Sequence, residues 1–324
     1  MDTARRTLHR LLDAGADFAP EYGGGLSSHL PMALQALQAL GAGAQRLEAF
    51  QERYAPRLSA PGRAGAGAHP EGYEQRVRQL DAELRLEGRD AVLRRRLPAL
   101  LEDPGAAAFH GLIRVAHGVA AGHAGELARG LAYWSAVHRP GGQAPASAGA
   151  ALPLDAWLAR LRALHDRHRV TGRRISWRMQ AWREVPGVEI AAGALALDET
   201  TLPALAHAAA RLYARTGDFT VLHVITASHA LRGLWPWVTD RAAALRALRP
   251  ALAAALLASD AWEAGAAVDA DAAAPPCWEE LVRGALAADD EHVIKLVHAC
   301  RDWDDWDDRQ GGAVFARAAA RALA

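Results

Sequence analysis

The segment from Arg241 to Ala258 reads RAAALRALRPALAAALLA, with Leu245, Leu248, Leu252 and Leu256 three or four residues apart in a background of alanine. Both residue types favour helix, and the spacing returns the leucines to one face every turn. The same pattern fills most of the chain. It predicts helices near 3–14, 31–41, 44–55, 73–86, 88–102, 105–121, 124–138, 153–168, 201–215, 218–234, 238–258, 276–286, 288–301 and 311–323. Arg169 to Ala192 is the exception. Ile175, Trp177 and Met179 alternate with polar residues, Trp182 and Val185 break the alternation, and the stretch reads as helix or irregular.

Gly/Pro/Ala-rich punctuation at Ser59 to Gly72 and Arg139 to Pro153, with a break at Pro275-Pro276, separates segments of like pattern. It is read as surface loops inside one all-α domain covering 1–324, a single large multi-helix fold. The tail from Asp302 to Asp308 reads as a helix end leading into a solvated turn, with Trp303 and Trp306 meeting at i,i+3.

The 37 basic and 37 acidic residues cancel, which removes the electrostatic case for a nucleic-acid or anionic-membrane partner. Ala251 to Ala258, the most apolar run, is far shorter than the roughly 20 residues of a spanning helix. Met1 to Arg10 has no apolar signal region, and two cysteines, Cys277 and Cys300, cannot build a disulfide framework, so a cytoplasmic protein is expected. Oligomeric state is not legible.

Of the basic residues only Lys295 is lysine. It lies in Glu291-His292-Val293-Ile294-Lys295-Leu296-Val297-His298, where His292 and Lys295 are about 60° apart around a helix and about 4.5 Å along it. They can reach one centre, with His298 flanking it. Lys295 is either a snorkelling surface lysine or a functional one. Unlike arginine, a buried lysine can shed its proton and act as base or nucleophile, or react with carbon dioxide to give an anionic carbamate ligand.

Fourteen histidines are many for this length, and several lie inside apolar helical patterns. One buried histidine is more often a core residue than a ligand, but bundles build metal sites from side chains converging from several helices. His110 and His117 share a face about 10.5 Å apart, too far to bind one ion, so one ligates and the other lines the wall. His223 lies in the run Val221 to Ile225 behind the candidate cap Asp218, while His229 faces elsewhere. His29 stands just before a helix whose first turn accepts Pro31, after a glycine turn at Gly23 to Gly25 that lacks the spacing and lysine of a phosphate loop. No zincin, nucleophile-elbow or dinucleotide motif is present.

Four runs together resemble the questin oxidase-like family: Ser28-His29-Leu30-Pro31-Met32-Ala33-Leu34, Phe109-His110-Gly111-Leu112-Ile113-Arg114, Phe219 to Thr226, and Asp290 to Val297. Their order and separation span nearly the whole chain. The resemblance implies non-haem iron held by four histidines and a carboxylated lysine. On this chain those are His29, His110, His223, His292 and Lys295, the last bearing a carbamate derived from CO2. It also implies dioxygen-dependent oxidation of a small aromatic substrate, with ring cleavage or Baeyer–Villiger-type oxygen insertion and NADPH as electron source. His117, His229 and His298 then belong to the surroundings of the site or its pocket wall. Ser28 departs from the family's asparagine, and the chain is shorter than the fungal members and lacks a nicotinamide fingerprint.

Arg114 is a candidate catalytic residue that would orient a flat anionic substrate, with Tyr133, Trp134 and Trp235 beside it; ordinary packing is the alternative for each. Two rival functions remain. One is a metal-dependent hydrolase with a carbamylated lysine, for which no carboxylate is expected beside the histidines here. The other is a non-catalytic helical binding protein.

Overall fold

Four aspartates mark four helix starts. Asp2, Asp218, Asp240 and Asp290 stand extended at the N-cap and accept from backbone N–H groups of Arg5, of Thr220 and Val221, of Ala243, and of His292. Such a cap satisfies donors that the helix leaves orphaned and contributes about 1 kcal/mol. The computed structural model describes residues 2–58, 70–139, 151–262, 274–307 and 313–324, so most of the two long predicted loops lies outside the described residues.

In chain order the elements are α1 (Thr3–Ala14), a hairpin of β1 (Glu21–Tyr22) and β2 (Leu26–Ser27), α2 (Leu30–Ala39), α3 (Ala44–Tyr54), α4 (Tyr73–Glu87), α5 (Arg89–Leu100), α6 (His110–Ala121), α7 (Ala124–Val137), α8 (Leu154–His165), α9 (Ile175–Arg183), α10 (Val188–Gly193), α11 (Thr201–Thr216), α12 (Phe219–Leu234), α13 (Arg241–Leu257), α14 (Trp278–Ala287), α15 (Glu291–Trp306) and α16 (Val314–Leu323). The all-α class holds. Apart from the hairpin, β pairing among the described residues is limited to one bridge between Leu152 and Leu195. No helix among them is long and apolar enough to cross a membrane.

Two helix ends differ from expectation, and the stretch that reads as helix or irregular is helical. The ambiguous stretch 169–192 forms α9 and α10, because Met179, Trp182, Val188, Ala191 and Ala192 bury against the core despite their irregular spacing. Helix α6 starts at His110 rather than 105, since Ala107, Ala108 and Phe109 adopt positive φ (48°, 55° and 68°), which no right-handed helix accepts. Helix α15 continues to Trp306, where a turn was expected to begin after 301. Trp303 is fully buried with its ring parallel to Phe315 at 6.1 Å, and Asp304 accepts from Trp278 Nε1 at 2.6 Å. The expected Trp303–Trp306 contact is present, edge to face at 5.4 Å.

The apolar interior has two parts. A smaller cluster holds Leu8, Leu34, Leu37, Leu47 and Phe50 from α1 to α3, together with Ile294 of α15. The larger takes in Leu112, Leu131, Val221, Leu252 and, from α15, Leu296 and Val297. Helix α15 therefore runs along the seam. Around it α2 packs on α6, α6 on α12, α12 on α15 and α15 on α2, a closed ring of four helices.

Candidate metal centre

Each helix of that ring brings one imidazole to a common point near its N-terminus. His29 is the N-cap residue of α2, His110 opens α6, His292 is second in α15 and His223 is one turn into α12. The local sequence explains each placement. Pro31 sits in the first turn of α2, where its missing N–H is harmless, so His29 stands just outside. In the left-handed stretch before α6 the Ala107 carbonyl accepts from both the backbone N–H and Nδ1 of His110. Asp218 and Asp290 cap the other two helices.

The four rings converge. Centroids lie 4.7 Å apart for His29 and His110, 4.6 Å for His29 and His292, 5.3 Å for His110 and His223, and 5.9 Å for His223 and His292. Four imidazoles bound tetrahedrally through nitrogens about 2.1 Å from an ion would have centroids about 5 Å apart, as these do, while the ligand atoms that already lie within 4.8 Å of one another are those of His29, His292 and Glu291.

The tautomers of three of the rings suit a shared cation as well. His110 Nδ1 donates to Ala107 O, His223 Nδ1 to Phe219 O at 2.9 Å, and His292 Nδ1 lies 3.2 Å from Asp290 Oδ1. A neutral ring whose Nδ1 donates carries its lone pair on Nε2, and outer acceptors of this kind hold metal-binding histidines in orientation. His110 Nε2 and His29 Nε2 approach to 2.7 Å. Burial holds all four rings below the usual imidazole value, His110 at about 3, aided by the Lys295 charge and by neighbouring rings; Asp290 opposes this at His292. Neutral imidazoles are the form that binds metal.

Lys295 is 2 % exposed, which removes the snorkelling alternative. Its Nζ lies 3.1 Å from His29 Nδ1, and burial pulls its pKa down to about 8, opposed by Glu291 and Asp290. The predicted ligands His29, His110, His223, His292 and Lys295 thus gather at one place.

Glu291 corrects the expectation that no carboxylate accompanies the histidines. It is buried, with Oε1 4.0 Å from His29 Nδ1 and 3.9 Å from His292 Nδ1. Ligand atoms of His29, Glu291 and His292 all fall within 4.8 Å of one another. Arg57 holds the carboxylate from outside, with nitrogens at 3.1 and 3.2 Å, and stacks over Tyr54. In the sequence Glu291 looks like an ordinary acid in the first turn of a helix; its only signal is its position beside His292 and four residues before Lys295.

Arg114 is not brought to the cluster. It forms a buried two-pronged ion pair with Glu126 on α7 through Nε and Nη2, at 2.7 and 3.2 Å, which holds its charge, while Nη1 is buried with no hydrogen-bond partner. The crevice beside it, about 10 Å³, has room for one water and not for an aromatic ring. Tyr133 bonds to Ser27 and Glu21, Trp134 donates to Asp103 O, and Trp235 lies under Arg241. His117, His229 and His298 form a row of their own. Phe219, in contrast, meets His223 and His292 edge to face at 5.1 and 4.6 Å and is half exposed.

No parallel sheet able to bind a dinucleotide occurs among the described residues. No family model matches the chain, and no curated sequence matches it either.

Proposed function

We propose that this chain is a non-haem iron oxygenase that oxidises a small aromatic, phenolic or quinoid molecule by ring cleavage or Baeyer–Villiger-type oxygen insertion. The observation that carries the reading is the convergence of four neutral imidazoles, each from a different helix, on a buried lysine of lowered pKa. The resemblance of the surrounding segments to questin oxidase-like proteins supports the choice of metal and reaction.

His29, His110, His223 and His292 would hold the iron, with the Lys295 carbamate as anionic partner. Bound there, iron would supply the binding and reduction of dioxygen, with electrons from an external donor such as NADPH. The remaining roles belong to the chain. Carbamate formation joins the neutral Lys295 amine to CO2 and releases one proton; with a pKa near 8, about one amine in ten is neutral at pH 7. Glu291, paired with Arg57, would stand as a carboxylate about 4 Å from the Nδ1 atoms of His29 and His292. Phe219, half exposed beside His292, offers a flat apolar face on which an aromatic substrate can stack.

Glu291 also favours a second reading, a metal-dependent hydrolase in which a carbamate and a carboxylate serve two metal ions. Metal analysis and oxygen uptake separate the two. The oxygenase binds one iron in the four-histidine site and consumes dioxygen with NADPH and a hydroxylated anthraquinone. Two zinc ions at this centre, with ester hydrolysis and no oxygen uptake, select the hydrolase. Lys295→Arg keeps charge and reach but forbids the carbamate. Full iron occupancy and activity in that variant would overturn the role of Lys295.

A further inference from the structure

Helix α3 carries no imidazole, yet its side chains reach both sides of the metal centre. Tyr54, its last residue, is buried, and its hydroxyl accepts from the backbone N–H of His29 at 3.2 Å. Arg57, in the single turn Ala55–Arg57 that follows, lays its guanidinium over the Tyr54 ring at 4.6 Å. The same guanidinium donates from two nitrogens to the two oxygens of buried Glu291, at 3.1 and 3.2 Å, and to the Tyr22 hydroxyl at 3.2 Å. Glu291 and His292 open α15, and the His292 ring lies 4.6 Å from that of His29. One side chain thus supports the start of α2 through Tyr54 and the start of α15 through Glu291.

The chain leading into α15 is gripped from α3 as well. Arg46 donates through Nε to the Leu286 carbonyl at 2.6 Å and through Nη2 to that of Ala288. These carbonyls belong to the last turn of α14 and its cap, which the helix leaves without an intrahelical donor. Arg53 pairs with Asp289. The contacts differ in strength. Arg53 and Asp289 are each at least half exposed, so water screens the pair and little positioning comes from it. Arg57 meets a carboxylate whose side chain is only 5 % exposed, through both prongs of its fork, a geometry that fixes direction as well as distance.

We propose that Arg57 is a positioning residue of the metal centre. Braced between Tyr54 and Glu291, it sets the separation of His29 and His292, and so the affinity and geometry with which the centre holds its ion, while Arg46 seats the turn behind. The inference rests on the metal-binding reading of the four histidines and adds to it a residue outside the ring of four helices. Groups that orient ligands from outside typically account for about 10- to 100-fold in metal affinity. A lysine in this place would keep the charge but present a point, not a fork.

The test uses Co2+ as probe on the full-length, metal-free chain, because its visible absorption reports ligand number and geometry at the ion. Affinity is read by competition with a chelator, and the fold by denaturant unfolding without metal. Arg57→Ala is expected to bind Co2+ about 10- to 100-fold more weakly than wild type, with shifted absorption bands, and Arg57→Lys to recover only part of the loss. Arg53→Ala should stay within about threefold of wild type. Glu48→Gln, which alters a pair with Arg10 on the same helix, should bind as wild type does. Where Arg57→Ala fails to fold, Arg57→Gln, which keeps much of the stem and loses the fork, is read against the same expectation. Wild-type affinity and spectrum in the Arg57 variant, with Co2+ binding lost in His223→Ala, overturns this proposal and leaves the four-histidine centre standing. A loss of affinity with an unchanged spectrum, shared by Glu48→Gln, shows a general loss of stability and overturns it too. Failure of the wild type to bind Co2+ overturns both readings.

Discussion

At Lys295 the choice of residue controls a charge. Arginine would stay protonated in this setting, whereas burial pulls the lysine from its ordinary 10.5 to about 8. Between those values the unfolded chain binds a proton that the folded chain does not, so stability rises with pH across that window. Below about 8 both states are protonated and the full cost of the buried charge remains. The gap is worth about 3 kcal/mol. Denaturant unfolding of the metal-free, CO2-depleted protein from pH 7.5 to 10 is therefore expected to show the wild type gaining about that much relative to Lys295→Met; parallel curves would show that the fold does not neutralise the amine. Lysine chemistry was legible because a lone lysine among arginines beside a histidine draws notice. Glu291 was not, since an acid in the first turn of a helix needs no further reason. The ion pair of Arg114 was hidden for a related cause: its partner Glu126 lies on the next helix, which spacing within α6 cannot reveal.

Helix starts carry the site, and Asp290 shows how one residue joins an element to its chemistry. Its Oδ1 accepts from the His292 backbone N–H at 2.7 Å as a cap and lies 3.2 Å from His292 Nδ1 as an outer acceptor. The functions separate by substitution. Asparagine caps a helix as well as aspartate but carries no charge, so Asp290→Asn should unfold within a few tenths of a kcal/mol of wild type while binding metal about 10- to 100-fold more weakly. Asp290→Ala loses the cap as well, about 1 kcal/mol. Equal metal affinity in Asp290→Asn and wild type, by competition with a chromophoric chelator, would remove the carboxylate from the site. The starts of α2, α12 and α15 could be read from Pro31, Asp218 and Asp290, local signals with local causes. The start of α6 could not: alanines at 106–108 favour helix by propensity, yet Ala107 and Ala108 adopt left-handed φ, with the Ala107 carbonyl accepting from His110 Nδ1 three residues on. Helices α9 and α10 escaped for the opposite reason, because they are held by packing of Trp182 and Val188 rather than by a clean apolar stripe.

Across the whole molecule, the ring of α2, α6, α12 and α15 gathers side chains from positions 29 to 295 into a core that is rich in histidine. This arrangement has an acid-side consequence. His29, His110, His117, His223 and His298 are held neutral by burial, below the ordinary 6.5. The unfolded chain protonates them first, so their contribution is intact above about 6.5. It is lost as pH falls towards the folded values, about 3 for His110 and His298. Unfolding near pH 5 should take up as many as about five protons, and the metal-free protein should melt at falling temperature from pH 7 to 5. A cation at the metal centre binds only the assembled ring, since no unfolded segment holds the four imidazoles together. At a free concentration 100 times its dissociation constant it adds about 2.7 kcal/mol. For 324 residues, with about 2.1 cal/mol/K of unfolding entropy each, this corresponds to a rise of about 4 °C in Tm. Anaerobic ferrous iron at pH 7 should produce that shift in the wild type. His223→Ala should lose most of it while keeping its metal-free Tm close to that of its own chelator-treated control. An unchanged wild-type Tm would mean that the four rings pack a core and do not bind iron, because a ligand selective for the native state cannot bind without stabilising it.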